Sequence, residues 1–297
     1  MSGRTVNGAI VLLIVGNFLA LLSDTLIKWQ GGDIPIFQFV LMRKLCALAM
    51  LLPLWRQFDR EAPFAGTALH LLRAHLGMIG MTCMVIALTT LPLATANAIF
   101  YAAPVLIMVF AALFYGEKLT PLSIFAVISG FLGILVILQP VALTWQSLSA
   151  LGTAVSLAVT ALLVRKLPKG QSITHTLLLM HVYGLPVLTL LVIWEGEPWD
   201  WSLLATAFGS SFFILGYNVT ILMAYRHVDA NQVTSAEYTG LIWAMLIGWV
   251  LFAEVPDLWF YLGSTMIVGP LVLLSLREHR NYRLRRKSPP QAETVSR

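Results

Sequence analysis

A few ionisable side chains lie deep inside long apolar runs, where a charge is costly unless it faces a cavity or a partner. Arg43 falls about nine residues into one such run, and Glu237 about seven residues into another. A buried guanidinium suits the carboxylate or phosphate of a bound substrate. A carboxylate at that depth either receives a substrate amine or carries a proton. The alternative is structural, with Arg43 paired to an acid on a neighbouring helix such as Glu237.

Asp24 and Lys28 form a second charged set near the end of the first apolar run. They are spaced i, i+4 with the acid first, the favourable order for an ion pair on a helix. One interpretation is therefore an interfacial pair. The other is that these residues act as a gate, or that Asp24 carries a proton in the step that drives the protein.

Polar and aromatic residues recur on one helical face of two further runs. The first set is Asn97, Tyr101, Pro104 and Met108; the second is Thr234, Tyr238, Leu241 and Met245. Asn17, Tyr217 and Asn218 are further candidates. Aromatic walls with a few polar groups are common in small-molecule sites. The same residues could instead make helix-packing contacts.

The elements that carry these residues are predicted to be membrane-spanning helices. The chain has 297 residues, of which 58% are hydrophobic and 11% charged, and its mean hydropathy is +0.82. Soluble domains carry roughly 25% charged residues, so lipid must be the main solvent. The first apolar run, 8–27, lacks a small-x-small cleavage site, which predicts a retained helix rather than a signal peptide. Cys46 and Cys83 lie within apolar runs and imply no disulfide framework.

Ten runs reach or approach the roughly 20 residues that a helix needs to cross a bilayer. They are 8–28, 34–55, 69–89, 93–115, 121–139, 146–164, 173–194, 202–224, 230–252 and 258–276. The connections between them are short and rich in Gly and Pro, as in "QGGDIP", "GEKLTP" and "AEVPD". Pro104, Pro186 and Pro270 lie within spans and are expected to loosen the backbone there.

Lysine and arginine orient the chain. Alternate loops carry the basic residues, so the positive-inside rule predicts that both termini lie in the cytoplasm. The expected location is the inner membrane. Six of the nineteen basic residues lie in 277–287, directly after the last span. A basic segment at that position is typical of an anchor at an anionic lipid surface, and not of nucleic-acid binding.

The sequence repeats with an offset of 137 positions. Tyr101 and Glu117 recur as Tyr238 and Glu254, and His181 falls near the position that matches Arg43. His181 could bind cargo or respond to pH, or could simply be a hydrogen-bonded buried histidine. The two glutamates mark the ends of equivalent spans, either as solvated interface residues or as functional acids.

The repeat divides the chain into 1–144 and 145–276, followed by a basic cytoplasmic tail over 277–297. Each unit holds five spans, so the second unit must enter the membrane from the opposite side. Inverted repeats of this kind mark secondary transporters, whose substrates bind near the midplane. The sequence therefore predicts an all-α integral membrane protein of ten transmembrane helices in two inverted five-helix repeats.

Several other classes of protein lack support in the sequence. A membrane-embedded enzyme would need a cluster of nucleophile, acid and base or of metal ligands, and neither H-E-x-x-H nor G-x-S-x-G occurs. An ATP-driven pump would need G-x-x-x-x-G-K-[ST], which is also missing. A channel could use the same spans, but the inverted repeat favours a carrier. No catalytic residue, cofactor or metal site is predicted.

Three segments resemble the EamA-domain branch of the drug/metabolite transporter superfamily. They are "PIFQFVLMR", "LPLATANAIFYAAPVLIMVFAALFYGEKLTP" and "VDANQVTSAEYTGLIWAMLIGWVLFAEVPD". The resemblance covers about residues 8–276. Within this branch, the third segment is similar to members that carry S-adenosylmethionine, riboflavin, opine metallophores or amino acids. The resemblance implies a central cavity built from spans 1–4 and 6–9, with spans 5 and 10 at the periphery. It does not imply one cargo.

The expected function is alternating-access transport of a small polar or zwitterionic metabolite across the inner membrane, with membrane lipid as solvent. A proton or a counter-substrate could be coupled to this transport. Export and uptake both stay open, since direction follows gradients and coupling. Ten spans suffice for a working monomer.

Overall fold

A computed structural model describes residues 6–58, 61–138, 144–164, 166–168, 171–225, 236 and 238–287. A short 3₁₀ segment, Leu52–Gln57, follows the second helix. The α-helices of this part of the chain are α1 (Val6–Trp29), α2 (Ile36–Leu51), α3 (Thr67–Thr90), α4 (Leu93–Phe100), α5 (Ala103–Tyr115), α6 (Pro121–Leu138), α7 (Trp145–Val164), α8 (Ile173–Glu195), α9 (Leu203–Tyr225), α10 (Thr239–Phe252) and α11 (Leu258–Lys287).

The helices cross a membrane. Nine helical stretches of the described chain are long and apolar enough to span, with α4 and α5 counted together, and α10 is a shorter apolar helix. Apolar segments in lipid must satisfy every backbone N–H and C=O internally, and helices do this within one segment. Large apolar side chains such as Leu113, Phe114 and Trp249 point outward, as a lipid-facing surface requires. The protein is therefore a multi-pass membrane protein.

The two halves pack in the same way. In chain order, α1, α2, α3, α4–α5 and α6 correspond to α7, α8, α9, α10 and α11. The α1–α9 contact has its counterpart in α3–α7, and the α2–α9 contact has its counterpart in α3–α8. The pairs α2–α8, α4–α10 and α6–α11 each join a helix to its own equivalent. Exchanging the halves thus preserves the main packing contacts, as a pseudo-two-fold axis in the membrane plane requires.

Residues 137 positions apart meet where that axis passes. The Tyr101 and Tyr238 rings have centroids 6.1 Å apart. Between α6 and α11, the Ser129 hydroxyl donates to the backbone carbonyl of Met266 at 2.7 Å. The sequence offset is therefore a spatial relationship, and the aligned positions are symmetry mates in the fold.

Helices α6 and α11 pack closely because both present small residues. A Cβ added to Gly133 would overlap the backbone carbonyl oxygen of Gly263, so only glycine allows the two backbones to approach so closely. Within the described chain the largest contact of each helix is with the other, and α6 makes smaller contacts with α4 and α5. Spans 5 and 10 thus form a pair apart from the helices that hold the buried charges.

The helix ends repeat as well. Gly116 ends α5 with φ 65°, and Ala253 ends α10 at the equivalent position with φ 53°. The next residue in each half, Glu117 or Glu254, donates its N–H to the carbonyl six residues earlier, at 3.3 and 3.0 Å. The bond reaches one residue further back than the hydrogen bond of a Schellman motif, but it likewise follows a left-handed residue that ends the helix. In both halves, therefore, a residue in the left-handed conformation directly precedes the glutamate and sets the direction of the chain there.

One of the three intramembrane prolines coincides with a break. The fourth span is interrupted at Tyr101 and Ala102, just before Pro104, and resumes as α5. Pro186 and Pro270, in contrast, lie inside the continuous helices α8 and α11. Among these three prolines, a helix interruption therefore accompanies Pro104 only, and loosening of the backbone stays a prediction.

The bundle has two ends, called here the Lys28 end and the Glu117 end. At the Lys28 end, α1, α3, α8 and α10 finish and α2, α4, α9 and α11 begin. At the Glu117 end, α5 and α7 finish, and α3, α6 and α8 begin. Glu195 at the end of α8 accepts the Phe37 and Gln38 backbone N–H groups at 2.9 and 3.1 Å, which ties α8 to the start of α2 at the Lys28 end.

Candidate functional site

The centre of the site is the tyrosine pair. Tyr101 follows the last residue of α4, and Tyr238 directly precedes α10. Gly240 lies so close to Tyr101 that an added Cβ would overlap the phenol hydroxyl. Asn17 of α1 donates to the Ala236 carbonyl at 3.1 Å and approaches the Thr239 hydroxyl at 3.3 Å. Helix interruptions near the membrane midplane are where transporters of this architecture bind their cargo.

Arg43 lies on α2 and is buried, with 4% of its surface exposed. Its Nη1 contacts the Met81 sulfur at 3.0 Å, and its Nη2 donates to the Ser23 hydroxyl at 3.2 Å. Ser23 in turn pairs with the Ser210 hydroxyl at 2.8 Å, and Ser211 donates to the Arg43 carbonyl at 2.9 Å. Among the described residues the guanidinium is thus contacted by neutral groups of α1 and α3 and by no carboxylate, and the α9 serines support Ser23 and the Arg43 backbone.

Asp24 is the acid that attracts Arg43 electrostatically. Its side chain is also buried, and Asn97 of α4 hydrogen-bonds to it. The Oδ1 atom of Asp24 has no hydrogen-bond partner in the described chain. A buried carboxylate oxygen without a donor is expensive, so this atom is a place where a ligand N–H or a proton would be stabilised.

Lys44 and His181 meet across α2 and α8. At an offset of 137 the residue that matches His181 is Lys44, so the match to Arg43 expected from the sequence is wrong by one position. Both Lys44 and Arg43 act electrostatically on His181. A Cβ on Gly184 would come within 3.0 Å of the Lys44 ammonium, so glycine makes room for it. Two cations therefore converge on one wall of the site.

Lys28 lies at the end of the bundle where α1 finishes and α4 begins. Its ammonium pairs with the Glu254 carboxylate at 2.8 Å and donates to the Leu91 carbonyl at 2.7 Å. The second oxygen of Glu254 accepts the Leu93 N–H at 2.7 Å. Lys28 also lies over the Phe252 ring, 5.2 Å from its centroid. The Asp24–Lys28 ion pair predicted from the spacing is not formed, because Glu254 supplies the carboxylate.

The Glu117 end repeats part of this arrangement. Tyr115 occupies the position equivalent to Phe252, and the Lys166 ammonium lies 5.1 Å from its ring centroid. The Tyr115 hydroxyl donates to the Leu162 carbonyl at 3.0 Å, which links α5 to the end of α7. The residue equivalent to Lys28 is Arg165, which lies outside the described residues.

Other predicted residues fall elsewhere. Asn218 lines a crevice of about 620 Å³ between α2, α8 and α9, together with apolar residues such as Leu177 and Phe212. Tyr217 faces α1, where it lies close to Gly16. Glu237 and Thr234 lie outside the described residues.

Sequence reasoning missed the neutral partners of Arg43. Ser23, Ser210 and Met81 carry no charge, and residues of these types are frequent in transmembrane helices. Ser23 directly precedes Asp24, and Ser210 and Ser211 form the only serine doublet in the sequence. Those are the two signals that could have indicated them.

Ten crossings in two inverted halves, with ionisable groups buried beside interrupted helices, define a membrane transporter of the inverted-repeat class. The chain belongs to the EamA-like transporter family, whose model matches residues 7–139 and again residues 144–276.

Its relatives are named as transporters of different cargoes. The pseudopaline exporter CntI of Pseudomonas aeruginosa is 26% identical over 90% of this chain and 95% of its own length. A riboflavin transporter of Vibrio cholerae is 27% identical, over 94% of this chain and 96% of its own length. An S-adenosylmethionine uptake transporter of Rickettsia prowazekii is 23% identical, over 90% and 92%. A solved crystal structure with 19% sequence identity superposes with a TM-score of 0.60 and covers 91% of this chain, which shows a shared fold.

Proposed function

We propose that the protein is a secondary carrier that moves a small zwitterionic metabolite across the inner membrane by alternating access. The observation that carries this proposal is the Tyr101–Tyr238 contact, 6.1 Å between ring centroids, on the pseudo-two-fold axis. Each tyrosine lies at the end of a helix segment, where the backbone can rearrange. A cargo held between them contacts equivalent groups of both halves, so it interacts similarly whichever end is open.

The buried charges of α1 and α2 define the cargo class. Arg43 and Lys44 are buried cations on α2, and Asp24 is the buried acid nearest to Arg43 among the described residues. An excess of positive charge in a low-dielectric site favours an anionic group such as a carboxylate. The unpartnered Oδ1 of Asp24 suits an ammonium N–H. A zwitterion carries both groups, so its carboxylate can bind the cations of α2 while its ammonium donates to Asp24.

Glu237 is proposed to add a second carboxylate from the opposite half. It directly precedes Tyr238 in the sequence. An acid at this position either receives a substrate amine or carries a proton when the site is empty.

The Lys28–Glu254 pair supports alternating access. It holds one end closed through contacts between the two halves, and a rocking motion of one half against the other would break these contacts. Lys28, Glu254 and the Leu93 N–H join α1, α10 and the start of α4. Exchange of the two halves predicts the matching closure at the other end, with Glu117 opposite Arg165. In the proposed cycle one closure forms as the other opens.

Direction is set by the gradient of cargo and of any coupled ion and not by the site. The relatives support this separation, because one is named an exporter and another an uptake transporter over nearly the same length of chain. Export of a metallophore or amino acid and uptake of riboflavin are therefore the alternative roles of the same apparatus.

The test is a counterflow screen in proteoliposomes. Labelled S-adenosylmethionine, a labelled amino-acid mixture and riboflavin are offered separately, with and without an imposed proton gradient. We expect saturable counterflow of at least one zwitterion, loss of that flux in Arg43→Ala, and normal flux in the exposed-site control Arg277→Ala. Flux that is linear in concentration would indicate a channel, and riboflavin as the sole cargo would overturn the zwitterion assignment.

A further inference from the structure

A second buried polar cluster lies between α3 and α8, towards the Glu117 end of the bundle. His70 is 0% exposed, Arg73 is 6% exposed and His175 is 0% exposed. His70 and His175 have ring centroids 6.3 Å apart, and Phe58 stacks on His175 at 4.2 Å. Among the described residues His70 and Arg73 form no hydrogen bond with Arg43 or Asp24, so they belong to a separate cluster.

Gln171 fixes the state of His70. The Gln171 amide nitrogen donates to the Ala65 carbonyl at 2.9 Å, which determines the orientation of the amide. The amide oxygen therefore faces His70 Nε2 at 3.0 Å and must accept a hydrogen from it. In the neutral ring the hydrogen is then on Nε2, and Nδ1 keeps its lone pair. That Nδ1 is buried and has no hydrogen-bond partner in the described chain.

Arg73 supplies the opposite polarity. Its Nε and Nη1 atoms are buried without a hydrogen-bond partner, and it takes part in no salt bridge among the described residues. Arg73 follows His70 by three positions on α3, so the two side chains project from neighbouring points of the helix surface. Buried guanidinium N–H donors and a buried acceptor that lack partners in the described chain are costly unless a ligand satisfies both.

We propose that His70 and Arg73 form a binding site for an α-amino carboxylate at the Glu117 end. The guanidinium receives the carboxylate, and the lone pair of His70 Nδ1 accepts an N–H of the ammonium. An anionic lipid phosphate would satisfy Arg73 but would offer no N–H to Nδ1, so a free zwitterion fits the pair better. The inference rests on the proposed function for the origin of the ligand, since it would be the carrier's own cargo on its way to the central site.

The test measures binding and not transport, so its failure is separate from failure of the carrier proposal. The full chain carrying Arg43→Ala, which disables the central site, is purified in a detergent with a neutral headgroup. Thermal unfolding is followed with glycine, acetate or methylammonium at equal ionic strength, and separately with phosphatidylglycerol. We expect glycine to raise Tm by several degrees and acetate or methylammonium to raise it less.

Variants then assign the site. In the same background, Arg73→Gln should lower the affinity for glycine at least tenfold, and Arg73→Lys, which keeps the charge and helps the fold to survive, should lower it several-fold. His70→Asn should remove the advantage of glycine over acetate. The matched control Arg277→Gln, at an exposed arginine of α11, should leave the glycine shift unchanged. A glycine shift that survives Arg73→Gln, or an Arg73-dependent shift with phosphatidylglycerol in place of glycine, would overturn the proposal.

Discussion

The Lys28 ammonium lies 2.8 Å from the Glu254 carboxylate, and this pair joins the first helix of one repeat to the α10 end of the other. Both side chains are mostly shielded, with 11% and 19% of their surfaces exposed. Each is also bonded to the α3–α4 connection, Lys28 through the Leu91 carbonyl and Glu254 through the Leu93 N–H. Opening of this end therefore requires three elements to separate together, which is the behaviour expected of a gate.

Glu254→Gln should open the Lys28 end more often. A shielded pair is worth more than the roughly 0–1 kcal/mol of an exposed one, and a loss of about 1–2 kcal/mol changes a population about 5–30-fold. The measurement is the rate at which a membrane-impermeant maleimide labels Thr95→Cys, which lines a cavity beside Glu254. Cys46 and Cys83 are first replaced by alanine.

The control for this experiment is Glu197→Gln, the same substitution at an exposed glutamate at the same end. It should leave the labelling rate unchanged. The exchanged pair Lys28→Glu with Glu254→Lys should not restore the parent rate, because the new glutamate would face the Leu91 carbonyl and the new lysine the Leu93 N–H. If Glu254→Gln labels no faster than the parent protein, the pair does not hold this end closed.

The fold was largely predictable because its cause is simple. Apolar length sets the spans, and glycine or proline marks their ends, so most of the ten predicted runs agree with the observed helices within a few residues wherever the chain is described. The exception is α11, which continues to Lys287 and so includes the first eleven residues of the predicted tail. The break at Tyr101 was partly foreseen, since Pro104 cannot donate to the preceding turn. The difference between Pro104 and the other two prolines was not foreseen. Packing against neighbouring helices decides whether a helix is interrupted at a proline.

The partners within the site were less predictable. Spacing along α1 indicated a pair between Asp24 and Lys28. In the folded protein Lys28 instead pairs with Glu254 of α10, and Asp24 lies near Arg43 and Asn97. Contacts of that kind depend on which helices meet, and periodicity along one helix carries no information about it. The repeat did carry such information, because it correctly related Tyr101 to Tyr238.

Ala253→Gly should stabilise the protein. Ala253 has φ 53°, a left-handed conformation that glycine adopts without steric cost. The expected gain is about 1 kcal/mol, seen as a rise in Tm of the purified protein. The equivalent residue is already glycine, so Gly116→Ala is the reciprocal control and should lower Tm by a comparable amount. Equal Tm values in all three proteins would show that neither turn is strained.

Gly240→Ala should impair transport without unfolding the protein. The added Cβ would overlap the Tyr101 hydroxyl, which is the far end of a side chain that can move. Tyr101 would then leave the axis and its contact with Tyr238. We expect counterflow to fall at least tenfold while Tm changes little. Gly269→Ala is the matched control, since nothing lies within 4 Å of its added Cβ; normal flux in both variants would remove the tyrosine pair from the site.

Arg43→Ala and Glu237→Gln should each reduce flux while the protein still reaches the membrane. Loss of the guanidinium leaves Asp24 buried without its cation, so some loss of stability is expected in Arg43→Ala. The double variant Arg43→Ala with Asp24→Asn should recover Tm but not transport. Recovery of both would show that the charges stabilise the fold and do not bind cargo. Unchanged flux in both Arg43→Ala and Glu237→Gln would remove them as cargo-binding residues.

Residues 116–120 and 253–257 should lie on opposite faces of the membrane. Glu117 and Glu254 end equivalent helices, and five crossings per repeat invert the second copy. The distribution of basic residues among the loops predicts that Glu117 lies on the cytoplasmic side. Lys118→Cys and Val255→Cys are exposed, equivalent positions on the two turns. In intact cells an impermeant maleimide should label Val255→Cys and not Lys118→Cys, and inside-out vesicles should give the reverse. Labelling of both positions from one side would contradict the inverted repeat, and the proposed exchange of two gates depends on that symmetry.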